Sequence, residues 1–543
     1  MDEYDYIIAG GGTAGCVLAN RLSADPRLRV LLLEAGGSGR NFWVEVPLGM
    51  KFLLGREKYD WNYQSLPEPQ LNDRRIALPR GRMLGGSSAI NGMVYVRGHA
   101  HDFALWEAAG NRGWGWDDVL PWFRKSECHY QGGDDCRGAD GEWKVSDPGV
   151  RWPALDSFIE AAVQAGHREN RSYNCGDNEG VSYFEANIAS GRRQSTARAF
   201  LHPARHRPNL KVETDALVDR VTFAGRRATG VTYRLGGVTR QARARAEVIV
   251  TAGAYGSPVI LERSGIGAAP HLARLGVAPV HVLPGVGENL QDHWQIRIQH
   301  HLKHTRTLNN RGSSWHGMLG LGAQYILTRS GPMTAQPALL TLFARTRAGL
   351  PAPDLQVHVS AASYDRVGGP LERYPGITSA SGILRPESRG WCHAFSAEPG
   401  EKPMILNNFL ATEGDRALAV EAVKLVRHIF AQPAMQRYEP LERAPSDSVR
   451  RDDEMMDYAR RVLTTTFHPA GTCRMGGDPM AVVDDRLRVR GVSGLRVVDA
   501  SIMPTITSGN TAAPVVMIAE KAAAMIRDDG RLARAPQVAA GAA

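Results

Sequence analysis

At 543 residues, 43% apolar and 22% charged, the chain exceeds one ordinary core and has the composition of a globular protein, which excludes disordered and fibrous classes. Its net charge of +9 arises from 65 Lys and Arg against 56 Asp and Glu, and the basic residues are scattered among apolar and turn residues, as in "RRQSTARAFLHPARHRP". No basic stripe forms, so no nucleic-acid partner is expected; a weak pull on anionic substrates or lipids is compatible with such a surface, and peripheral membrane contact stays open.

The six cysteines (Cys16, Cys128, Cys136, Cys175, Cys392, Cys473) include no C-x-x-C pair, which argues against a disulfide framework and against a zinc knuckle; no metal is expected. The chain enters a strand within five residues, leaving no room for a signal peptide, and no apolar run approaches about 18 residues. A cytoplasmic protein is the expectation, with peripheral membrane attachment as the alternative.

In chain order, the first predicted element is a strand over residues 6–9, followed by Gly10, Gly12 and Gly15 in G-x-G-x-x-G. Residues 16–23 continue with helical spacing of Val17, Leu18 and Leu22, and residues 29–33 make a second apolar strand ending at Glu34. Strand, glycines, helix, strand and acid in this register predict a dinucleotide site. The first glycine permits the tight turn, the second admits the pyrophosphate, and the third lets helix and strand pack closely, with phosphate at the helix N-terminus. Glu34 falls where an acid accepts ribose hydroxyls, and an acid there favours FAD or NAD over NADP.

Residues 41–63 are apolar and aromatic and read equally as a lid or as core. "GRMLGGSSAINGMVYVRG" (81–98) is a small-residue run that lets backbone lie against a planar ring. Residues 248–252 predict a strand feeding "GAYGSPVILERSGIG" (253–267), a short helix stopping at Gly265. "PGVGENLQDH" ends in His293, read as capping or orienting a loop. Strand-like alternation in "DLQVHVSAA" and "MILNNFL" and a helix over 417–430 occupy the stretch 294–463. "FHPAGTCRMGG" (467–477) is a loop. As a metal site it offers only His468 and Cys473, fewer than the three or four ligands required. Cys473 as nucleophile has Arg474 beside it, but a small semi-buried cysteine more often serves packing. An imidazole base is the chemistry that fits best, because its ordinary pKa of about 6.5 leaves it mostly neutral near physiological pH. A strand ending at Val498, a polar turn and a helix from about Ala512 close the fold.

At residues 81–98 and 253–267, position by position, and at the opening fingerprint, "PGVGENLQDH", the histidine loop and "DASIMP…GNT", the chain resembles the glucose–methanol–choline (GMC) oxidoreductases, most of all their bacterial alcohol and choline dehydrogenase branch. The resemblance spans almost the whole chain. It implies an α/β FAD-binding Rossmann-like fold of the GMC type with an α+β substrate domain built on an antiparallel sheet. Gly10, Gly12, Thr13, Ala14, Gly15, Glu34 and Ala35 would hold the ADP half of FAD; Arg82, Gly85, Gly86, Ser87, Asn91, Gly92, Met93 and Val94 the pyrophosphate and flavin. Val218 would meet the adenine, and Asp499, Ala500, Asn510 and Thr511 the ribityl chain and flavin. His468 becomes the base and Asn510 the donor to the substrate oxygen, with hydride passing to flavin N5; Asn510 could also cap the closing helix. Some relatives tie the flavin to a histidine just before the position of Asn91; Ile90 stands there, so the FAD is expected to be non-covalent.

Cofactor motifs at both ends and the middle imply a discontinuous FAD domain (1–146, 191–293, 464–530), a substrate domain (147–190, 294–463) and a flexible tail (531–543). "MTAQPALLTLF" (333–343), which could line the pocket, has no acid, whereas choline would call for an acid and an aromatic cage. A neutral primary alcohol oxidised to its aldehyde is the expected substrate. The alternatives are choline dehydrogenase or oxidase activity and a non-redox FAD-containing lyase. The electron acceptor, quinone-like or oxygen, and the oligomeric state are not legible.

Overall fold

The structure, a computed structural model, describes residues 2–364 and 369–534. The apolar run at the start of the chain forms the strand Asp2–Ala9, which lies at the centre of a seven-stranded sheet. Its parallel neighbours are Val30–Leu33 on one side, itself flanked by Leu210–Glu213, and Val238–Val250 on the other. Val238–Val250 also pairs in parallel with Leu495–Val497 and continues into an antiparallel meander with Arg227–Leu235 and Ala216–Ala224. Ala9 is paired with Leu33, so the two strands end at the same level and Gly10 and Glu34 emerge side by side at their carboxyl ends. That is the edge of a parallel sheet where ligands bind. Buried side chains of this sheet pack against the helices Thr13–Leu22 and Ala512–Arg534 in one hydrophobic core.

A second seven-stranded sheet is antiparallel throughout. Its order is Leu441–Ala444, Trp294–His301, Gly376–Ile383, Leu355–Ser360, Leu340–Ala344 and Gly180–Tyr183, with Thr464–Thr465 also paired to Trp294 and Gln295. It has its own core, shared with the amphipathic helix Glu413–Phe430.

Several local expectations change. The helix Gly253–Arg263 ends two residues before Gly265 and carries Pro258 inside it. Of "MILNNFL" only Met404–Leu406 is strand; Asn408 and Leu410 take positive φ of 57° and 61° and break it. The closing helix runs to Arg534, so 531–534 belong to it rather than to a flexible tail, and 535–543 lie outside the described residues. The expectation of no disulfide framework is also corrected: Cys136 and Cys175, 39 residues apart, are bonded, while Cys16, Cys128, Cys392 and Cys473 are free. Linear spacing carries no trace of this bond. The two loops are brought together by the buried Arg97, whose Nη1 donates to Cys136 O at 2.8 Å and Asn174 O at 3.4 Å while Nη2 binds Glu127 Oε2 at 2.7 Å.

Candidate active site

One long cavity crosses the carboxyl edge of the parallel sheet and reaches the antiparallel one. Its first part is backbone. Gly10, at φ 121°, lets the chain turn from strand to helix; a Cβ there would lie 2.5 Å from Thr251 O. A Cβ on Gly15 would lie 1.9 Å from Gly10 O, so helix and strand pack at a separation only glycine permits. Gly86, at φ 51°, approaches so closely that a Cβ would be 2.8 Å from Gly12 Cα. Gly12 precedes the first turn of Thr13–Leu22, whose unpaired N–H groups face the cavity with the positive end of the helix dipole. Glu34 is buried, its Oε2 accepting from Gly11 N and Oε1 from Gly36 N, both at 2.8 Å. Burial raises its pKa and the two backbone bonds oppose that rise.

Gly10, Gly12, Thr13, Ala14, Glu34, Ala35, Gly86, Ser87, Asn91, Gly92, Met93, Val94, Val218, Asp499, Ala500, Asn510 and Thr511 all line this one cavity. Three of the expected residues are not in its wall. Gly15 is the packing glycine. Gly85 donates its N–H to Gly11 O at 2.8 Å and shapes the turn behind the wall. Arg82 turns its guanidinium over the Trp61 ring, 4.9 Å from the centroid, and its carbonyl abuts Gly36. Of residues 41–63, Met50, Leu54, Trp61 and Tyr63 are wall; of 333–343, Pro337 and Ala338 are.

The far end is built from side chains. The loop after Thr464–Thr465 is knotted to buried Asp292: Thr465 Oγ1 donates to Oδ2 at 2.5 Å and His468 N donates to Oδ1 at 2.8 Å. Burial raises Asp292 to about 6. Asn510, just before the closing helix, places its Nδ2 3.0 Å from His468 Nε2. The amide does not cap that helix, and its Oδ1, buried, has no hydrogen-bond partner.

The tautomers follow from one carbonyl. His293 Nε2 lies 3.0 Å from Leu384 O, which can only accept, so this nitrogen carries the proton. Burial lowers His293 to about 4, so its Nδ1 is an unprotonated acceptor. His468 Nδ1, 3.1 Å away, therefore donates to it, and His468 Nε2 is left with its lone pair toward Asn510. Burial pushes His468 well below its ordinary 6.5, with His293, His358 and Arg80 adding to the effect. The imidazole is thus neutral, correctly oriented and able to take a proton at Nε2.

Sequence patterns did not single out His358, Arg80 or Gln295, which also line this end. His358 alternates with Val357 and Val359 along Leu355–Ser360; the valines face the core while His358 and Ser360 face the cavity, a period-two signal that was present in "LQVHVS". Burial lowers His358 to about 4. Arg80 Nη2 donates to Phe467 O at 2.7 Å, tying the histidine loop to the wall. Gln295, from the strand Trp294–His301, donates through Nε2 to Thr465 O at 3.1 Å.

The cavity suits FAD: a glycine cradle with no room for side chains, an acid at the end of the second strand, and the N-terminus of Thr13–Leu22 at the glycine turn. Comparison with known proteins agrees. Two family models described as GMC oxidoreductase match residues 4–295 and 386–519. The chain is 41% identical over 530 residues to a protein of Vibrio vulnificus named oxygen-dependent choline dehydrogenase, covering 97% of this chain and 94% of that one. With the protein of that name from Burkholderia vietnamiensis it shares 42% over 539 residues, 98% and 95% of the two chains. Among solved structures, pyridoxine 4-oxidase from Mesorbium loti superposes with a TM-score of 0.88 at 33% identity, over 97% of this chain and 99% of that one. Aspergillus oryzae formate oxidase gives 0.90 at 26%, over 98% and 99%.

Proposed function

Because the chain belongs to the GMC oxidoreductase family, and is an FAD-dependent oxidoreductase acting on CH–OH donors, we propose that it oxidises a neutral primary alcohol to the aldehyde with His468 as base. FAD supplies the hydride acceptor for the carbinol carbon. Gly10, Gly12, Thr13, Ala14, Gly86 and Ser87 would hold its phosphates, Glu34 and Ala35 its ribose, Val218 its adenine, and Asn91, Gly92, Met93, Val94, Asp499, Ala500, Asn510 and Thr511 the ribityl and flavin half. Ile90, in the wall, carries no nucleophile, so the cofactor is held without a covalent bond. On the same reading the FAD domain comprises 1–146, 191–293 and 464–530, and the substrate domain 147–190 and 294–463.

The observation that carries the proposal is the 3.0 Å approach of Asn510 Nδ2 to the lone pair of His468. An alcohol oxygen that replaces this contact, the two side chains parting to admit it, accepts from Asn510 and gives its proton to His468 Nε2. The amide then stabilises alkoxide character as it develops. His293 and Leu384 O hold the imidazole in the tautomer this requires.

Choline is the second reading, favoured by the names of the relatives. Charge opposes it: among the described residues the wall around His468 has Arg80 and neutral histidines but no free carboxylate. Asp499 is spent on Gly253 N, Ser257 Oγ and Ser501 N, and Glu401 lies by Gly400 and Leu217 at the adenine end. The reoxidant is oxygen or a quinone-like acceptor.

The test is anaerobic bleaching of the flavin absorbance by primary alcohols and by choline, in wild type and His468→Ala. The variant should keep FAD yet bleach about 10²–10⁴-fold more slowly. Bleaching at the wild-type rate removes His468 as base; turnover of a cyanohydrin with no bleaching by any alcohol makes the protein a lyase.

A further inference from the structure

A group of metal-ligating side chains stands outside the active site, where the helix Gly253–Arg263 meets the short strand Trp391–His393. Glu262, in the last turn of that helix, is fully buried. Its Oε1 lies 2.6 Å from His393 Nδ1, and its Oε2 accepts from Ala394 N at 2.7 Å. Oε2 also lies 3.2 Å from Nε2 of His271, on the neighbouring helix Ala269–Leu275. One donor atom from each of Glu262, His271 and His393 lies within 4.8 Å of the others. Linear spacing gives no sign of the group, because Glu262 and His271 are nine positions apart and His393 follows more than a hundred later.

Two features separate it from an ordinary buried ion pair. The first is His271. Arg274 Nη2, 3.2 Å from its Nδ1, can only donate, so Nδ1 accepts and the proton sits on Nε2. That nitrogen is buried and makes no hydrogen bond, since Glu262 Oε2 is near it but poorly aligned. The ring thus holds an unspent ligand atom beside the carboxylate. The second feature is Glu288, whose Oε1 lies 3.1 Å from His393 Nε2. A histidine that binds a metal through one nitrogen commonly donates its other N–H to a carboxylate, which fixes the ring. Glu288 and His393 already stand in that relation. The Glu288 side chain is 43% exposed, and those of His271 and His393 are 12% and 14% exposed, so an ion reaches the group from solvent.

Donor chemistry selects the ion. Two imidazoles and a carboxylate suit zinc and its transition-metal neighbours, whereas calcium and magnesium favour oxygen shells. Ligand atoms about 2.0–2.2 Å from one zinc stand about 3.3–3.5 Å apart, so the contact of Glu262 with His393 opens and the widest pair closes by little more than about 1 Å. Side-chain rotation suffices for both. Binding sends the proton of His393 Nδ1 to solvent and moves that of His271 from Nε2 to Nδ1. Arg274 then gives up its contact with the ring and keeps Ala394 O at 2.9 Å.

We propose that Glu262, His271 and His393 form a zinc-binding site, with Glu288 orienting His393 and water completing the tetrahedron. The ion ties the helix Gly253–Arg263 to the segment that follows Trp391. Both continue into the wall of the long cavity, through Val259 and Ile260 on one side and Gly400, Glu401 and Pro403 on the other, so the ion braces that wall from outside. It takes no part in alcohol oxidation, and the site stands or falls apart from the roles of His468 and Asn510.

The experiment titrates Zn²⁺ into EDTA-treated, dialysed holoenzyme by calorimetry, with FAD content measured alongside. Wild type should take up one ion per chain with micromolar affinity or better, and neither Mg²⁺ nor Ca²⁺ should replace it. His271→Ala leaves the bonds of Glu262 to His393 and Ala394 in place, so in EDTA it should keep a Tm close to wild type and normal turnover. It should lose at least tenfold in zinc affinity, together with the rise in Tm that zinc gives wild type. Glu288→Gln should weaken zinc about tenfold. Absence of uptake by wild type overturns the proposal. Wild-type affinity in His271→Ala overturns it too, assigning the ion to other side chains, and equal uptake of Mg²⁺ removes the imidazoles from coordination. Unchanged affinity in Glu288→Gln refutes the role given to that carboxylate.

Discussion

Replacing Asn510 by Asp tests the base assignment through its electrostatics. The substitution keeps the side chain's shape but sets a carboxylate where the amide nitrogen now lies, 3.0 Å from His468 Nε2. At that separation and an effective dielectric of about 20, Coulomb's law gives roughly 5.5 kcal/mol favouring the imidazolium. At about 1.4 kcal/mol per unit this is an upward shift of about 4 pKa units. The new carboxyl is itself buried, which raises its own pKa and withholds part of the effect, so about 2–3 units is the working figure. The sign is definite. A base works only above its own pKa, and burial holds that of wild-type His468 well below 6.5, so kcat/KM should stay on its plateau through neutral pH. In Asn510→Asp the acid limb should move to higher pH by those units. Asn510→Ala, which removes the donor without adding charge, should lower kcat/KM by about 10²–10³-fold and leave the limb where it is in wild type. The assay is kcat/KM against pH on one good alcohol, with FAD content measured in parallel. An Asn510→Asp profile that keeps the wild-type limb refutes the reasoning: either the two side chains do not face each other or His468 is not the base.

Gln295→Glu puts an acid into the wall near His468 with almost no change of shape. It should raise kcat/KM for choline relative to the neutral tert-butyl isostere by about tenfold or more, equivalent to about 1.4 kcal/mol; an unchanged ratio means residue 295 does not meet the substrate. Asp292→Asn leaves one acceptor oxygen for the two donors that now fix the histidine loop, His468 N and Thr465 Oγ1. Turnover should fall about 10- to 100-fold through misplacement of the base while FAD content stays constant, and normal turnover would show that the knot is dispensable. Cys136→Ser opens the Cys136–Cys175 bond and should lower stability by about 2–4 kcal/mol, read as a drop in Tm that reductant reproduces in wild type and not in the variant.

The nucleotide cradle was legible because everything it needs is local. A short strand, three glycines, a helix and a second strand lie within residues 2–34, and the parallel register that pairs Ala9 with Leu33 brings the two strands to a common end. Alternation marked strands in the second sheet, since period-two patterning survives whichever strands become neighbours, but its antiparallel pairing was implied by the family resemblance and not by the pattern. What sits across the cavity was not. His293 and His468 are 175 positions apart, and the bond between their rings depends on the pairing of Thr464–Thr465 with Trp294 and Gln295, which no single segment encodes. His293 was expected only to orient a loop; it also fixes a proton. The disulfide failed to show for the same reason, because its partners meet through Arg97 rather than through any spacing. Arg82 was placed by its motif near the phosphates, yet Trp61, remote from that motif, draws the guanidinium over its ring.

His468 and Asn510, the pair proposed to carry the chemistry, meet on the seam between two sheets. Asn510 follows Leu495–Val497, a strand of the parallel sheet whose edge forms the cradle, whereas His468 follows a strand of the antiparallel sheet. The cradle is therefore insulated from the wall that meets the substrate: His358 and Ser360 stand on Leu355–Ser360 and Gln295 on Trp294–His301, both rooted in the second core. Side chains there can change without disturbing Gly10, Gly12 or Glu34. The base has no such insulation. His468 is neutral chiefly because it is buried, with His293 and His358, beside and on strands of the antiparallel sheet, adding to the effect. Any shift that parts the two sheets lets water in, returns the imidazole toward its ordinary pKa and places a cation beside Arg80. Packing at the seam, more than any single hydrogen bond, keeps this histidine able to accept a proton.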